Sequence, residues 1–171
     1  QDDLILVGDK HIDLILDLIY SKRANSFVNL QNDVIANKCY NMLELKRDVF
    51  EITNYEIEFD EYATLPNGHV IERVLDTSDN SNSICRLDSS EITLPLIVRT
   101  RRLGDKMAVK GMDGTKKIKD IFIDSKINLT ERDSWPIVVD STDKVVWIPG
   151  IKKSKFDIPK NKKCDIILRY Y

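Results

Sequence analysis

The chain has 171 residues, of which 42% are hydrophobic and 32% charged, and its formal net charge is only -2. This composition is typical of a globular protein with a hydrophobic core, and no apolar run approaches the roughly 18 residues that a membrane span requires. The three cysteines are scattered and lack CxxC spacing, which argues against a zinc site and a disulfide framework and favours the reducing cytoplasm. The sequence therefore predicts a cytoplasmic protein with no membrane partner and no bound metal.

The first predicted element is a helix near residues 10–22, because apolar residues recur at helical spacing from Ile12 to Ile19. The following region, 27–59, is rich in β-forming residues and ends in alternating apolar and acidic positions, which is typical of a half-buried strand. The polar run DTSDNSNS at 76–83 predicts a loop.

The second half predicts further strands around one main helix. The helix is expected at 116–126, with Ile118, Ile121 and Phe122 on its core-facing side. Two β-branched runs flank residues 141–143 and predict a hairpin, and CDIILRYY predicts the last strand. The expected fold is α+β: a small N-terminal helix-plus-strand subdomain, residues 1–53, followed by a β-rich C-terminal domain with one main helix, residues 54–171.

The small net charge hides two regions of opposite sign. Residues 1–97 carry 18 acidic and 8 basic side chains, whereas residues 98–171 carry 10 acidic and 18 basic ones. Eight Lys or Arg against two Asp stand between positions 99 and 119. Because charge blocks indicate partners rather than folds, the basic region is interpreted as facing a polyanion and the acidic region as solvated surface.

The expected start of the 116–126 helix is the most informative part of this basic segment. Gly111, Gly114 and Thr115 lead into Lys116 and Lys117, which would place two cations in a first helical turn where the helix dipole favours anions. A bound phosphate would resolve that conflict, and glycines would let the backbone approach it closely. Arg99 and Arg101 are expected on one strand face beside this site, so that their guanidinium groups can contact phosphates.

Other interpretations of these residues stay open. Any single lysine here is an ordinary solvated side chain in the simplest interpretation. The aspartates at positions 105, 113, 120 and 124 have the chemistry of a metal site, but their spacing does not assemble one, so a small metal-dependent enzyme is the weakest alternative. A stronger alternative is a protein-interaction or dimerisation module that pairs the acidic and basic halves.

Several motifs together resemble the C-terminal part of the bacterial tRNA(Ile)-lysidine synthetases. They are RTRRLGDK at 99–106, Gly111, GTKKIKDIFID at 114–124, the turn 131–133 before Pro136, and VWIPGI at 146–151. The upstream region resembles the central part of the same enzymes more loosely. Leu103 and Asn128 depart from the family pattern, which commonly has proline at both places.

The resemblance implies a substrate-recognition part of a larger ligase. Such a parent enzyme uses ATP, with Mg, to adenylate the wobble cytidine of the isoleucine tRNA with a CAU anticodon, and lysine then displaces AMP to form lysidine. The SGG-x-DS loop of the family's ATP-pyrophosphatase domain is absent from these residues. The chain is therefore expected to contain no catalytic residue or cofactor, to be inactive alone, and to work with that N-terminal catalytic domain, with a homodimer as a possible assembly.

A basic surface around a helix start suits phosphate and 2′-hydroxyl contacts on A-form RNA. The tRNA-binding residues predicted on this basis are Arg99, Arg101, Arg102, Lys106, Lys110, Lys116, Lys117, Lys119, Arg132, Lys152 and Lys153. Gly104, Gly111 and Gly114 are predicted to shape the loops between them.

Overall fold

The computed structural model describes residues 9–30, 34–47 and 54–171. The described residues contain two helices, α1 (Asp9–Tyr20) and α2 (Ile118–Asp124). The strands are β1 (Asn25–Asn29), β2 (Val34–Cys39), β3 (Met42–Arg47), β4 (Glu56–Phe59), β5 (Tyr62–Thr64), β6 (Val70–Arg73), β7 (Ile84–Leu87), β8 (Leu96–Arg99), β9 (Lys106–Met107), β10 (Lys116–Lys117), β11 (Ile137–Val139), β12 (Val145–Ile148), β13 (Lys152–Lys153) and β14 (Ile166–Tyr170). The expected α+β class, with a small helix-plus-strand part followed by a β-rich part containing one main helix, is confirmed.

The chain forms two compact units. The first consists of residues 1–51 with 128–131, and the second of residues 52–127 with 132–171. The predicted boundary near residue 53 lies outside the described residues, and the assignment of domains to 1–53 and 54–171 stays a prediction. Within the described part of the chain, neither helix is long and apolar enough to cross a membrane.

In the first unit, α1 accompanies an antiparallel sheet of order β1-β2-β3. Of the apolar residues in this helix, Leu18 is buried, whereas Ile12, Leu16 and Ile19 are exposed. Lys38 in β2 donates hydrogen bonds from Nζ to the carbonyl of Ile19 in the last turn of α1 and to that of Ser21 just beyond the helix. The helix end is thereby fixed to the sheet.

The second unit contains a five-stranded sheet of order β13-β12-β11-β8-β4 and a four-stranded sheet of order β5-β6-β14-β7, both antiparallel. Strands β11 and β12 of the five-stranded sheet are buried on both faces. Val138 packs in one core with residues of the four-stranded sheet, and its neighbours Ile137 and Val139 pack in a second core with α2. Burial on both faces explains why β11 and β12 read as continuous apolar runs rather than as alternating patterns.

Several local predictions are confirmed and one is corrected. The hairpin around 141–143 joins β11 to β12, and Ile118, Ile121 and Phe122 form the buried side of α2. The predicted helix at 116–126 is too long, because α2 covers only 118–124. Residues 116 and 117 instead form β10, which pairs antiparallel with β9.

Candidate nucleic-acid interface

Arg99 ends strand β8 and lies inside the protein, with 1% of its surface exposed. Its Nη1 and Nη2 atoms donate to the two carboxylate oxygens of Asp105 at 2.8 and 3.0 Å, and its Nε donates to Asp143 at 3.2 Å. The Arg99 guanidinium therefore faces carboxylates and not solvent, which does not favour the predicted RNA contact, and that contact stays a prediction. Arg101 lies beyond the end of β8, so the expected shared strand face is wrong.

The next two arginines are more exposed but also have acidic partners. Arg101 forms an ion pair with Asp133 through Nη2. Arg102 contacts Glu56 at 2.5 Å through Nη2 and Asp143 at 3.1 Å through Nη1. Both side chains can reach solvent, yet their charge is already compensated.

Two lysines of the predicted surface share this arrangement. Lys110 lies 2.5 Å from the buried carboxylate of Asp157, and Lys116 forms an ion pair with Asp124. With the three arginines they form a set that we call the paired cations: Arg99, Arg101, Arg102, Lys110 and Lys116. Each of them is held by at least one carboxylate of the second unit.

Two further predicted contacts are directed at backbone carbonyls. Arg132 is 9% exposed and donates from Nε to the carbonyl of Ile127 at 2.9 Å, so its expected place on the surface is wrong. Lys153 donates from Nζ to the carbonyl of Asn80 at 3.1 Å. Both side chains are thus bonded to backbone of the second unit, Lys153 at the polar loop predicted at 76–83, and their predicted tRNA contacts stay predictions.

Four lysines differ from all of these. Among the described residues, no hydrogen-bond or ion-pair partner exists for the side chains that we call the open lysines: Lys106, Lys117, Lys119 and Lys152. All four are exposed. Their positive charges are therefore available to a partner.

Two open lysines are direct cross-strand neighbours. Lys106 in β9 pairs with Lys117 in β10 in the antiparallel register, so both side chains lie on the same face. Residues opposite each other in such a pair have Cβ atoms about 4.5–5.5 Å apart, and like charges there are destabilising. An anion bound between the two ammonium groups would remove that repulsion.

The structure changes the interpretation of the start of α2. The residue before its first turn is Lys117, with extended dihedral angles (φ -64°, ψ 138°) and no side-chain cap. Lys116 and Lys117 therefore precede the helix, and the predicted placement of two cations in its first turn is wrong. The first N–H of α2, from Ile118, donates to the carbonyl of Asp105 at 3.0 Å, so this donor is occupied by the protein.

The predicted loop glycines all have positive φ, at 93° for Gly104, 77° for Gly111 and 79° for Gly114. Open space lies where a Cβ would stand at each of them. They are required by the backbone conformation of tight turns and not by close contact with another group of this chain.

Asp105 is the residue whose role in this site the basic sequence pattern did not indicate. Its carboxylate accepts the two bonds from Arg99 and a third from the backbone N–H of Arg102 at 2.6 Å. Burial alone would raise the pKa of Asp105, but these hydrogen bonds and the two arginine charges outweigh it and leave the pKa below its usual value. The sequence offered one signal: an aspartate six residues after Arg99 within the same motif.

The described residues contain no group of three His, Cys, Asp or Glu side chains that could hold a metal ion. Of the four aspartates considered for such a site, Asp105 bonds to Arg99 and Asp124 pairs with Lys116. These two carboxylates are thus already paired with cations of this chain.

Comparisons with known proteins show the family to which the chain belongs. The sequence model described as TilS substrate C-terminal domain matches residues 96–168. A solved structure titled "Crystal structure of TILS C-terminal domain" shares 40% sequence identity and a TM-score of 0.63, and the match covers 69% of this chain and 96% of that one. The chain belongs to the TilS family.

Full-length TilS relatives extend the match beyond that domain. The bifunctional protein TilS/HprT of Listeria monocytogenes is 39% identical over 99% of this chain and 27% of its own length. The tRNA(Ile)-lysidine synthase of Bacillus subtilis is 36% identical over 94% of this chain and 36% of its own length. The chain thus spans about a third or less of these relatives and corresponds to their TilS C-terminal region.

Proposed function

We propose that this chain is the tRNA-binding, substrate-recognition portion of a tRNA(Ile)-lysidine synthase. The whole protein would ligate lysine to the wobble cytidine of the isoleucine tRNA with a CAU anticodon, using ATP, in the cytoplasm. ATP with Mg and lysine would bind to the N-terminal catalytic domain of the whole protein. The fragment alone would bind RNA and catalyse nothing.

The observation that carries the proposal is the cross-strand pair Lys106 and Lys117. A fold that places two like charges opposite each other, with no ion-pair partner for either among the described residues, loses some stability unless a partner supplies the negative charge. Lys119 adds a third open charge two residues after Lys117. This arrangement suits consecutive phosphates of an RNA backbone.

RNA is the polyanion that best fits this surface. The open charges belong to lysines, which contact phosphate as point charges and read no base edge with a fork. A-form RNA is recognised largely through its phosphates, its 2′-hydroxyls and its shape, because its deep major groove is closed to side chains. The open lysines would therefore hold the tRNA body, and selection among tRNAs would depend on fitting that shape.

The test is a binding titration of this chain with isoleucine tRNA carrying the CAU anticodon, with methionine tRNA and with heparin, each at low and moderate salt. We expect tighter binding to tRNA than to heparin, and a log affinity that falls linearly with log salt by about 0.7–0.9 per phosphate engaged. Equal, weak binding to all three polyanions would contradict the proposal. A flat salt response would contradict it as well.

A further inference from the structure

We infer that Asp105 is a positioning residue of the RNA surface. Its hydrogen bonds within the protein keep Lys106 and Lys117 opposite each other. The inference rests on the proposed function and adds a residue that cannot itself contact phosphate, because it carries the same sign of charge.

The carboxylate end of Asp105 fixes the strand that carries Lys106. Asp105 directly precedes Lys106 in the chain, and its two oxygens accept three hydrogen bonds, from Nη1 and Nη2 of Arg99 and from the backbone N–H of Arg102. Arg99 is itself immobilised in the five-stranded sheet. The backbone entering β9 is therefore tied to the core of the second unit.

The carbonyl end of Asp105 fixes the strand that carries Lys117. Its oxygen accepts the N–H of Ile118 at 3.0 Å, and Ile118 directly follows Lys117 and is buried in the core beneath α2. Asp105 thus links the backbone beside Lys106 to the backbone beside Lys117. If its carboxylate lost the bonds from Arg99, the alignment of the two ammonium groups would loosen.

Asp143 completes the support from a third element. Its carboxylate accepts from Nε of Arg99 at 3.2 Å and from Nη1 of Arg102 at 3.1 Å to its other oxygen, and it lies in the hairpin between β11 and β12. This holds the Arg99 guanidinium in the plane that matches Asp105. A planar guanidinium can donate to two carboxylates in one fixed plane at once, which the ammonium group of a lysine cannot.

The inference predicts the opposite sign from simple electrostatics. Asp105→Asn removes a negative charge near a polyanion site, so charge alone would leave tRNA binding unchanged or tighten it. Positioning predicts weaker binding, because the neutral amide cannot accept the Arg99 fork on both of its atoms. The exposed Asp113 lies in the loop between β9 and β10, so Asp113→Asn makes the same charge change without these contacts.

The experiment is a tRNA titration of D105N, D113N, K106Q, K117Q and the double variant D105N/K106Q, well below each melting temperature. We expect D105N to weaken binding about three- to tenfold, and to weaken it much less in the K106Q background, as coupled residues do. D113N should bind as well as the unchanged chain or better. A residue that only stabilised the fold would lower the melting temperature without this coupling to Lys106.

The outcomes separate the two proposals. If K106Q and K117Q weaken binding but D105N does not, the positioning role is overturned and the proposed function stands. If neither lysine variant weakens binding, the proposed function fails and the inference fails with it. If D105N does not fold, Asp143→Asn decides: its carboxylate is more exposed, and weaker tRNA binding by D143N supports the inference, whereas unchanged or tighter binding overturns it.

Discussion

The paired cations and the open lysines have the same sign of charge but different surroundings. The paired cations are compensated within the second unit by carboxylates such as Asp105, Asp143 and Asp157. The open lysines are exposed, have no such partner among the described residues, and include two side chains opposite each other. Charge density along the chain therefore does not identify a binding surface, because compensation within the fold decides which charges are available.

The largest expected effect is a difference in stability loss between a buried and a half-exposed member of the paired cations. Arg99→Ala should lower the free energy of unfolding by about 3–5 kcal/mol, because it removes a buried guanidinium and leaves the mostly buried carboxylate of Asp105 without that partner. Arg102→Ala, at a half-exposed ion pair, should cost only about 0–1 kcal/mol. Denaturant unfolding measures both, and equal losses would show that the burial of Arg99 has no energetic consequence.

The second prediction concerns the open lysines directly. The double variant K106Q/K117Q should weaken tRNA binding at least about tenfold and reduce the salt slope by about one for each phosphate that the protein no longer engages. Its stability should stay within about 0.5 kcal/mol of the original, because the repulsion between the two lysines is removed. The matched control is K160Q/K162Q, which removes two exposed charges from the loop before β14. An equal loss of binding by the control would indicate a general charge effect.

The third prediction concerns stability at low pH, where protonation removes the carboxylate charges that compensate the paired cations. The pKa of Asp105 is lowered in the folded protein, so the unfolded chain binds more protons as pH falls and the stabilisation is lost. The contribution is fully present well above the ordinary carboxyl pKa of about 4 and is lost progressively as the pH falls through the lowered pKa of the folded protein. Melting temperatures between about pH 3 and 6 should therefore fall less steeply for D105N than for the unchanged chain. Parallel curves would assign the acid sensitivity to other carboxylates, such as Asp140, whose pKa is also lowered, since its hydrogen bonds outweigh the opposing effect of its burial.

Much of the fold was predictable because it depends on local patterns. The apolar side of α2, the hairpin at 141–143 and the alternating strand β4 follow from spacing that neighbouring residues determine. The length of the helix was not predictable in this way, because residues 116 and 117 are drawn into a strand by pairing with β9.

The candidate site was predicted less completely than the fold. The open lysines lie among the residues expected to contact RNA, but the sequence could not separate them from the paired cations. The partners of Arg99 and Arg102 include Asp143, more than 40 residues away along the chain, and Glu56, which is similarly distant from Arg102. Only the tertiary fold brings such carboxylates together with the arginines. The burial of Arg132 was not predictable for the same reason, because its motif gives no indication that the side chain is buried.

The most direct test compares two adjacent lysines that differ in compensation. Lys116 is paired with Asp124, whereas Lys117 is open, and K116Q and K117Q make the same change in net charge. Titrated side by side with isoleucine tRNA at several salt concentrations, K117Q should bind several-fold more weakly and reduce the salt slope by about one. K116Q should leave the slope unchanged and weaken binding much less. Equal losses in the two variants would contradict the claim that compensation within the fold selects the binding surface.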